Sequence, residues 1–367
     1  MLHSYVFYPI IVLIWSSVKK KNELSVQNDL PSISLLMPVY NEEKVIVGKL
    51  KNLQELDYPI EKLEILIGSD CSTDSTPKLL ESLASKNMRI FHFKERRGKA
   101  MLLNDLAASA KNEILVFSDA DTFYYPDALK KMVRHFIYED VGGVCGNLDL
   151  KSSPTNSGGR AEARYWRYEN VIKESEGKIK TTFGATGAIY AVRKKLFRPL
   201  GAKKLFADDF LIPLFVTQQG YRILYDTSAG GWEETADSTI NEFQRKVRIG
   251  VANFNGLGEV IPLLHPKFGF VSFGLISHKL IRWIVPFLLI IIFVTSVYLF
   301  LRGNFYLFFF VIQLVFLFLA GVGYVLDRKS KPMMLFTMPY YFFVANAGLL
   351  YGFFKFLRGT QKTTWNV

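Results

Sequence analysis

The triplet Asp119–Ala120–Asp121 directly follows the apolar run Glu113 to Ser118, EILVFS. Two carboxylates at i and i+2 on a fully extended chain point to opposite faces. Where the chain bends at a strand end, both can reach one hard cation, and substrate phosphate oxygens complete its shell. Mn²⁺ and Mg²⁺ are the ions suited to such a donor set. The same placement recurs twice. Pro38, Tyr40 and Glu42 lie at the end of the run Ile33 to Val39, and Asp70 and Asp74 follow the run Leu63 to Gly68. A single Asp after a strand is usually a helix cap, and Asp74 or Ser75 before Thr76–Pro77 suits that role. Three strand ends that each carry a carboxylate are not explained by capping alone. Further along, Asp208–Asp209 precede an apolar helical stretch. By position alone they read as helix-initial acids favoured by the macrodipole.

These residues need a scaffold that brings strand ends together. Apolar runs alternate with amphipathic stretches between about residues 30 and 260, the pattern of a mostly parallel sheet with flanking helices. Strands are expected at Ile33 to Val39, Leu63 to Gly68, Arg89 to Phe93, Glu113 to Ser118, Gly142 to Leu150, Gly187 to Val192 and Tyr221 to Tyr225. Helical spacing marks Glu42 to Leu56, Thr76 to Lys86, Lys99 to Ala110, Arg160 to Lys178 and Ile240 to Asn253. In open α/β sheets ligands bind beyond the carboxyl ends of the strands, which is where the acids fall.

In this order the motifs resemble the family 2 glycosyltransferases, the group that includes cellulose, chitin, hyaluronan and poly-N-acetylglucosamine synthases. The likeness runs from about Ser32 to Gly250. It rests on Pro38 to Glu42, on Ser69 to Asp74, on Arg97–Gly98–Lys99–Ala100 with Asn104, and on Asp119–Ala120–Asp121. Thr186–Gly187 before Ala191–Val192–Arg193, Asp208–Asp209, and Arg245 to Ile249 complete it. The resemblance implies an α/β domain of the GT-A type that moves a sugar from a nucleotide-diphospho-sugar, a UDP-sugar by expectation. By the same resemblance Asp70 would hold the uracil or ribose, with Pro38, Tyr40 and Glu42 lining the nucleoside. Lys99 would sit near the diphosphate, and Arg245 and Arg248 would clamp it. Asp121 would ligate the metal, with Asp119 in support, so the ion acts as a Lewis acid on the departing diphosphate. Asp209, with Asp208 beside it, would be the general base, and Thr186 and Gly187 would face the acceptor.

One motif departs from the family. The Q-x-x-R-W of the synthases appears as Arg245–Lys246–Val247–Arg248–Ile249, with Gln244 one place early. The Trp that stacks on the acceptor sugar in processive synthases is Ile249, which offers no π face. Trp232, nearby in sequence, reads either as the aromatic that serves the acceptor or as an ordinary packed side chain. The expected function is therefore inverting transfer to a hydroxyl of a saccharide or lipid-linked acceptor, in polysaccharide or glycolipid synthesis. A processive synthase extruding its own polymer and a catalytically inactive scaffold of an export complex are the alternatives.

The rest of the chain is dominated by uncharged runs at residues 1–18, about 283–301, 305–326 and 333–354. The last three reach the roughly 20 residues that a hydrocarbon core needs. The first lacks a small-residue cleavage site, and Lys19 to Lys21 follow it rather than precede it, so an uncleaved span is expected. Basic flanks, including Lys279, Arg282, Arg328, Lys329 and Lys331, put the catalytic domain on the cytoplasmic side of the inner membrane. Lys355, Arg358 and Lys362 conflict with a crossing by the last run, which Pro339 and Asn346 would otherwise make interfacial or re-entrant. Residues 261–367 are thus read as an interfacial segment and C-terminal spans. The net charge of +12 belongs to lipid headgroups and an anionic donor; no nucleic-acid-binding motif accompanies it. Cys71 and Cys145 are too few for a disulfide framework or a structural zinc site.

Overall fold

The computed structural model describes residues 1–19, 29–151, 157–202, 204–234, 239–329 and 333–361. Lys20, Lys21, Lys331 and Lys362, used above to read topology, lie outside them.

A short N-terminal helix, α1 (Tyr8–Ser17), precedes the sheet. β1 (Ile33–Val39) is buried at all of its positions, as a strand covered on both faces must be. It pairs in parallel with β2 (Leu63–Asp70), and β2 pairs with β3 (Met88–Phe93). On its other side β1 pairs in parallel with β4 (Ile114–Ser118). The crossovers carry α2 (Ile46–Gln54), α3 (Thr76–Leu83) and α4 (Lys99–Ser109). This half is the parallel arrangement that the alternation of runs predicts.

The second half is mixed. It contains β5 (Phe123–Tyr124), α5 (Ala128–Val133), β6 (Val141–Lys151), α6 (Ser157–Ile179), β7 (Ile189–Arg193), α7 (Asp208–Gln218) and β8 (Arg222–Glu234). The order across the described eight-stranded sheet is β3-β2-β1-β4-β7-β6-β8-β5. β7 runs antiparallel to both β4 and β6, while β8 is parallel to β6. The chain leaves β6 at the carboxyl edge, passes through α6 and re-enters from that same edge. The amino end of β7 therefore lies beside the carboxyl end of β4, with Ser118 paired to Ile189. That reversal brings Thr186 and Gly187 to the edge where the acids lie.

Apolar clusters cover both faces of the sheet. One includes Leu36, Leu66, Phe117, Tyr190 and Val216; the other includes Ile33, Ile65, Val116 and Leu148. Phe117 and Tyr190 stack with ring centroids 4.3 Å apart. Beyond the sheet come α8 (Thr239–Asn255), α9 (Leu257–Val260), α10 (Phe270–Gly274), α11 (Ile281–Leu299), α12 (Asn304–Arg328) and α13 (Met334–Arg358).

Among the described residues two helices are long and apolar enough to cross a membrane: Phe270–Arg302, which includes α10 and α11, and α12. The first is longer than a bilayer core requires, and its leading part is not free. Phe270, Leu275, Trp283 and Val285 are buried in the protein, whereas Ile290 to Ile292, Val294 and Val297 are exposed. α13 is one unbroken helix in spite of Pro339 and Asn346. Its second half lies along α8 in the same direction. Tyr341 donates to Glu242 at 2.9 Å, Tyr351 stacks with Phe243, and Phe356 stacks with Phe254.

Charged side chains tie these helices to the sheet domain. Arg282 and the Nε2 of His278 engage Glu169 of α6, while the Nδ1 of His278 and the hydroxyl of Tyr8 reach Glu176 at 2.6 and 2.7 Å. Each ring nitrogen of His278 thus faces a carboxylate. The group is buried and mutually paired, the condition under which buried charges are tolerated.

Candidate active site

The loops after β1 and β2 are stitched to each other. The Asn41 amide donates to Ser72, the Glu42 amide donates to the Thr76 hydroxyl at 2.8 Å, and the Thr73 amide donates to the Asn41 side chain at 2.8 Å. Asn41 and Cys71 both adopt positive φ, 52° and 59°, a conformation rare outside glycine. The sharp turns they make bring Glu42 up to the strand edge. Asp74 caps α3, its carboxylate accepting from the Thr76 amide at 3.0 Å.

Asp70 has a different place from the one expected. It is fully buried, and its carboxylate accepts from the amides of Arg97 at 2.7 Å and Gly98 at 2.9 Å, with the Arg96 guanidinium at 3.3 Å. It fastens the loop that leads into Lys99 and does not line the cavity beyond the strand ends. Gly98 adopts φ +84° there, which lets both amides reach one carboxylate. Tyr40 is also outside the cavity, because the Arg96 guanidinium stacks on it at 3.2 Å.

The cavity has a volume of about 480 Å³. Pro38 and Glu42 border it from β1, and Lys99 from α4. Asp119 and Asp121 enter from the end of β4, and Asp208 and Asp209 from the start of α7. Thr186 and Gly187 lie before β7, and Arg245 and Arg248 project from α8. Every strand-end acid expected at the site except Asp70 is thus there.

Lys99 holds the centre. Its Nζ lies 2.8 Å from Asp119 and 3.4 Å from Asp208. These carboxylates, together with Asp209, raise the lysine's pKa against the opposing effect of burial. Among the described residues the Asp121 carboxylate has no hydrogen bond or ion pair with another residue, and neither does the Arg248 guanidinium. Burial, then the charge of Asp119, raises the pKa of Asp121. Burial likewise raises Glu42 to about 7, with Asp121, Asp119 and Asp74 adding to it, and raises Asp208 to about 6. A group of carboxylates this crowded favours proton or cation uptake. Asp209 rests against Gly187, where an added Cβ would lie 3.4 Å from its Oδ2.

Trp232 lies outside the cavity. Its neighbour Glu233 lines it, and successive strand residues face opposite ways. Trp232 instead stacks on Phe123 at 4.7 Å, beneath the Lys151 ammonium. The aromatic side chains that do line the cavity are Trp166 of α6 and Phe206. Sequence reasoning also missed Lys49. This fully buried lysine donates to Ser118 at 2.8 Å and to the Thr122 carbonyl, bracketing the Asp119–Ala120–Asp121 turn from behind. Burial lowers its pKa to about 7 against the pull of Asp121 and Asp119. A lysine on an amphipathic helix carries no sequence signal that it points inward.

Residues 34–201 match Glycosyl transferase family 2. The chain carries a family 2 glycosyltransferase domain. The match ends before α7 and α8, whose Asp208, Asp209 and Arg248 line the same cavity. The chain is 28% identical over 236 residues to poly-β-1,6-N-acetyl-D-glucosamine synthase of Staphylococcus aureus, covering 63% of this chain and 57% of that one. It is 26% identical over 223 residues to the probable glycosyltransferase YdaM of Bacillus subtilis, covering 57% and 52% respectively. The chain therefore spans little more than half the length of these relatives. Among solved structures, the mannosyltransferase PcManGT of Pyrobaculum calidifontis, in complex with GDP-Man and Mn²⁺, superposes with a TM-score of 0.65. That likeness covers 97% of this chain and 96% of that one at 21% identity. The glycosyltransferase domain thus has the GT-A-like fold, a mixed sheet with flanking helices.

Proposed function

We propose that this glycosyltransferase transfers a sugar, with inversion, from a nucleoside-diphosphate sugar to a hydroxyl of a saccharide or lipid-linked acceptor. The observation that carries the reading is the Lys99 ammonium bridging Asp119 and Asp208. It means that carboxylates from β4 and from α7, distant in sequence, share one cavity with the Arg248 guanidinium.

Asp121 and Asp119 supply hard oxygen donors from one turn, a chemistry that fits Mn²⁺ or Mg²⁺ completed by diphosphate oxygens. PcManGT, a protein of like fold, is in complex with Mn²⁺. When bound, such an ion would neutralise charge on the leaving diphosphate. Because Lys99 already occupies Asp119, Asp121 is the carboxylate left for direct ligation. Arg248, exposed to the cavity and without a hydrogen bond or ion pair to its guanidinium among the described residues, suits the diphosphate with its planar set of donors. Asp209, held against Gly187, is the base for the acceptor hydroxyl, and Asp208 fixes Lys99. The donor nucleotide is proposed as UDP by the family resemblance; GDP is the second candidate, since PcManGT is in complex with GDP-Man.

The exposed apolar surfaces of Phe270–Arg302 and α12 support anchoring in a membrane, proposed as the cytoplasmic face of the inner membrane. α13 lies along α8, so we assign its basic end, Lys355 and Arg358, to the catalytic side. This removes the conflict with the positive-inside rule.

The test is a screen of UDP- and GDP-sugars with Mn²⁺ or Mg²⁺ against the purified full chain, read as nucleotide release and product mass. Asp121→Ala and Asp209→Asn should each lower transfer by about 10²–10⁴-fold, with Asp209→Asn still binding nucleotide. Near-normal transfer by both variants would overturn these roles.

A further inference from the structure

One wall of the cavity is built by a residue that no strand-end rule points to. Trp166 of α6 lines the cavity and packs against the apolar cluster that contains Leu148 and Ala188. Its indole nitrogen is buried and has no hydrogen-bond partner among the described residues. An orphaned N–H of this kind is unfavourable. For packing alone a phenylalanine would serve without that cost. What the tryptophan offers the cavity is the breadth of its ring.

The ring is also tied to the carboxylate assigned as base. The Lys173 ammonium lies 5.1 Å from the Trp166 ring centroid and donates to the Ala185 carbonyl at 3.2 Å and the Thr186 hydroxyl at 3.4 Å. Thr186 leads into Gly187, and Gly187 abuts Asp209. Phe206, the other lining aromatic, packs over Gly201 in the loop before α7. Ile249, at the position where the sequence lacks an aromatic, lines the cavity from α8 without a π face. α6 itself is fixed from behind by the paired charges at Glu169 and Glu176, so the indole stands on a rigid element.

We infer that Trp166 is the platform on which a sugar ring of the acceptor stacks, and that it sets the acceptor hydroxyl against Asp209. The apolar face of a pyranose fits a flat indole. This assignment rests on the transfer reaction proposed above, but it concerns the acceptor alone.

The experiment uses the detergent-solubilised full chain, with octyl glycosides as acceptor probes. Calorimetry with UDP or GDP in the presence of Mn²⁺ measures the donor side. Initial rates against glycoside concentration measure the acceptor side, and glycoside quenching of indole fluorescence measures binding without turnover. Trp166→Leu should raise the KM for the glycoside about tenfold, leave the Kd for the nucleotide unchanged and abolish the quenching. Trp166→Phe should restore most of the KM. An unchanged KM in Trp166→Leu would overturn the inference, as would parallel loss of nucleotide and glycoside binding in both variants. If the wild-type chain transfers to no probe, the proposed reaction fails. Quenching that survives in Trp166→Leu would then refute the platform separately.

Discussion

At the scale of single residues, the site is a crowd of acids around one lysine, and its behaviour should depend on pH. Glu42 has a pKa of about 7 against an ordinary 4.5, chiefly from burial and then from Asp121, Asp119 and Asp74. For a carboxyl raised in the folded state, the neutral form is the one the fold prefers. The stability it contributes is complete below 4.5 and is lost as pH rises through 7. Glu42→Gln should therefore gain thermal stability over the wild type as pH rises from about 5 to about 8, when metal is absent. Discounted for partial exposure, the gain is on the order of 1 kcal/mol. Added Mn²⁺ should shrink the difference, because a cation relieves the same repulsion. Melting curves of both proteins at the two pH values, with and without Mn²⁺, check this. Lys99→Ala should remove the link between Asp119 and Asp208 and weaken nucleotide binding about tenfold or more, read by calorimetry.

At the scale of elements, the helix that carries Arg248 is held by close contact with α13. A Cβ at Gly352 would meet the Val247 carbonyl at 2.7 Å and the Gly250 Cα at 3.1 Å, and one at Gly348 would meet the Lys246 Cβ at 2.7 Å. Glycines spaced by four on α13 let α8 approach, as small residues do wherever helix backbones pack closely. Gly352→Val should push α8 away. The expected costs are about 1–3 kcal/mol of stability from overpacking and a weaker affinity for nucleoside diphosphate, since Arg248 moves with its helix. A Gly352→Val protein that melts lower but binds nucleotide normally would show that this contact does not position Arg248.

At the scale of the whole molecule, the catalytic domain and the apolar helices meet through buried charges rather than a flexible tether. Glu169 and Glu176 of α6 face His278 and Arg282 on the helix Phe270–Arg302. Breaking one partner of such a pair leaves a bare charge, so Arg282→Met should destabilise the protein by about 3–5 kcal/mol, seen as a lowered Tm in detergent. The side on which α13 ends is testable in intact vesicles. With Cys71 changed to Ser, a cysteine introduced as Arg358→Cys should react with an impermeant maleimide on the catalytic side only. Labelling from the opposite side would mean that α13 crosses.

Local order in the chain carried much of this. Residues 33–39 and 63–70 are apolar runs covered on both faces, so strand identity and the position of the following acids were legible from composition alone. That Asp119, Asp121, Asp208, Asp209, Arg245, Arg248, Thr186 and Gly187 line one cavity could be anticipated because family motifs and strand ends are local patterns. What the fold alone decided is which side chains turn inward and which are already engaged. Asp70 sits at a strand end, yet backbone amides of the 96–98 loop consume its carboxylate. Trp232 and Glu233 are adjacent in sequence, and the alternation of β8 puts only Glu233 in the cavity. Trp166 and Lys49 arrive from helices whose spacing says nothing of their direction. The antiparallel entry of β7 places Gly187 beside Asp209. Each of these depends on contacts between segments far apart in the chain, and such contacts have no trace in local residue order.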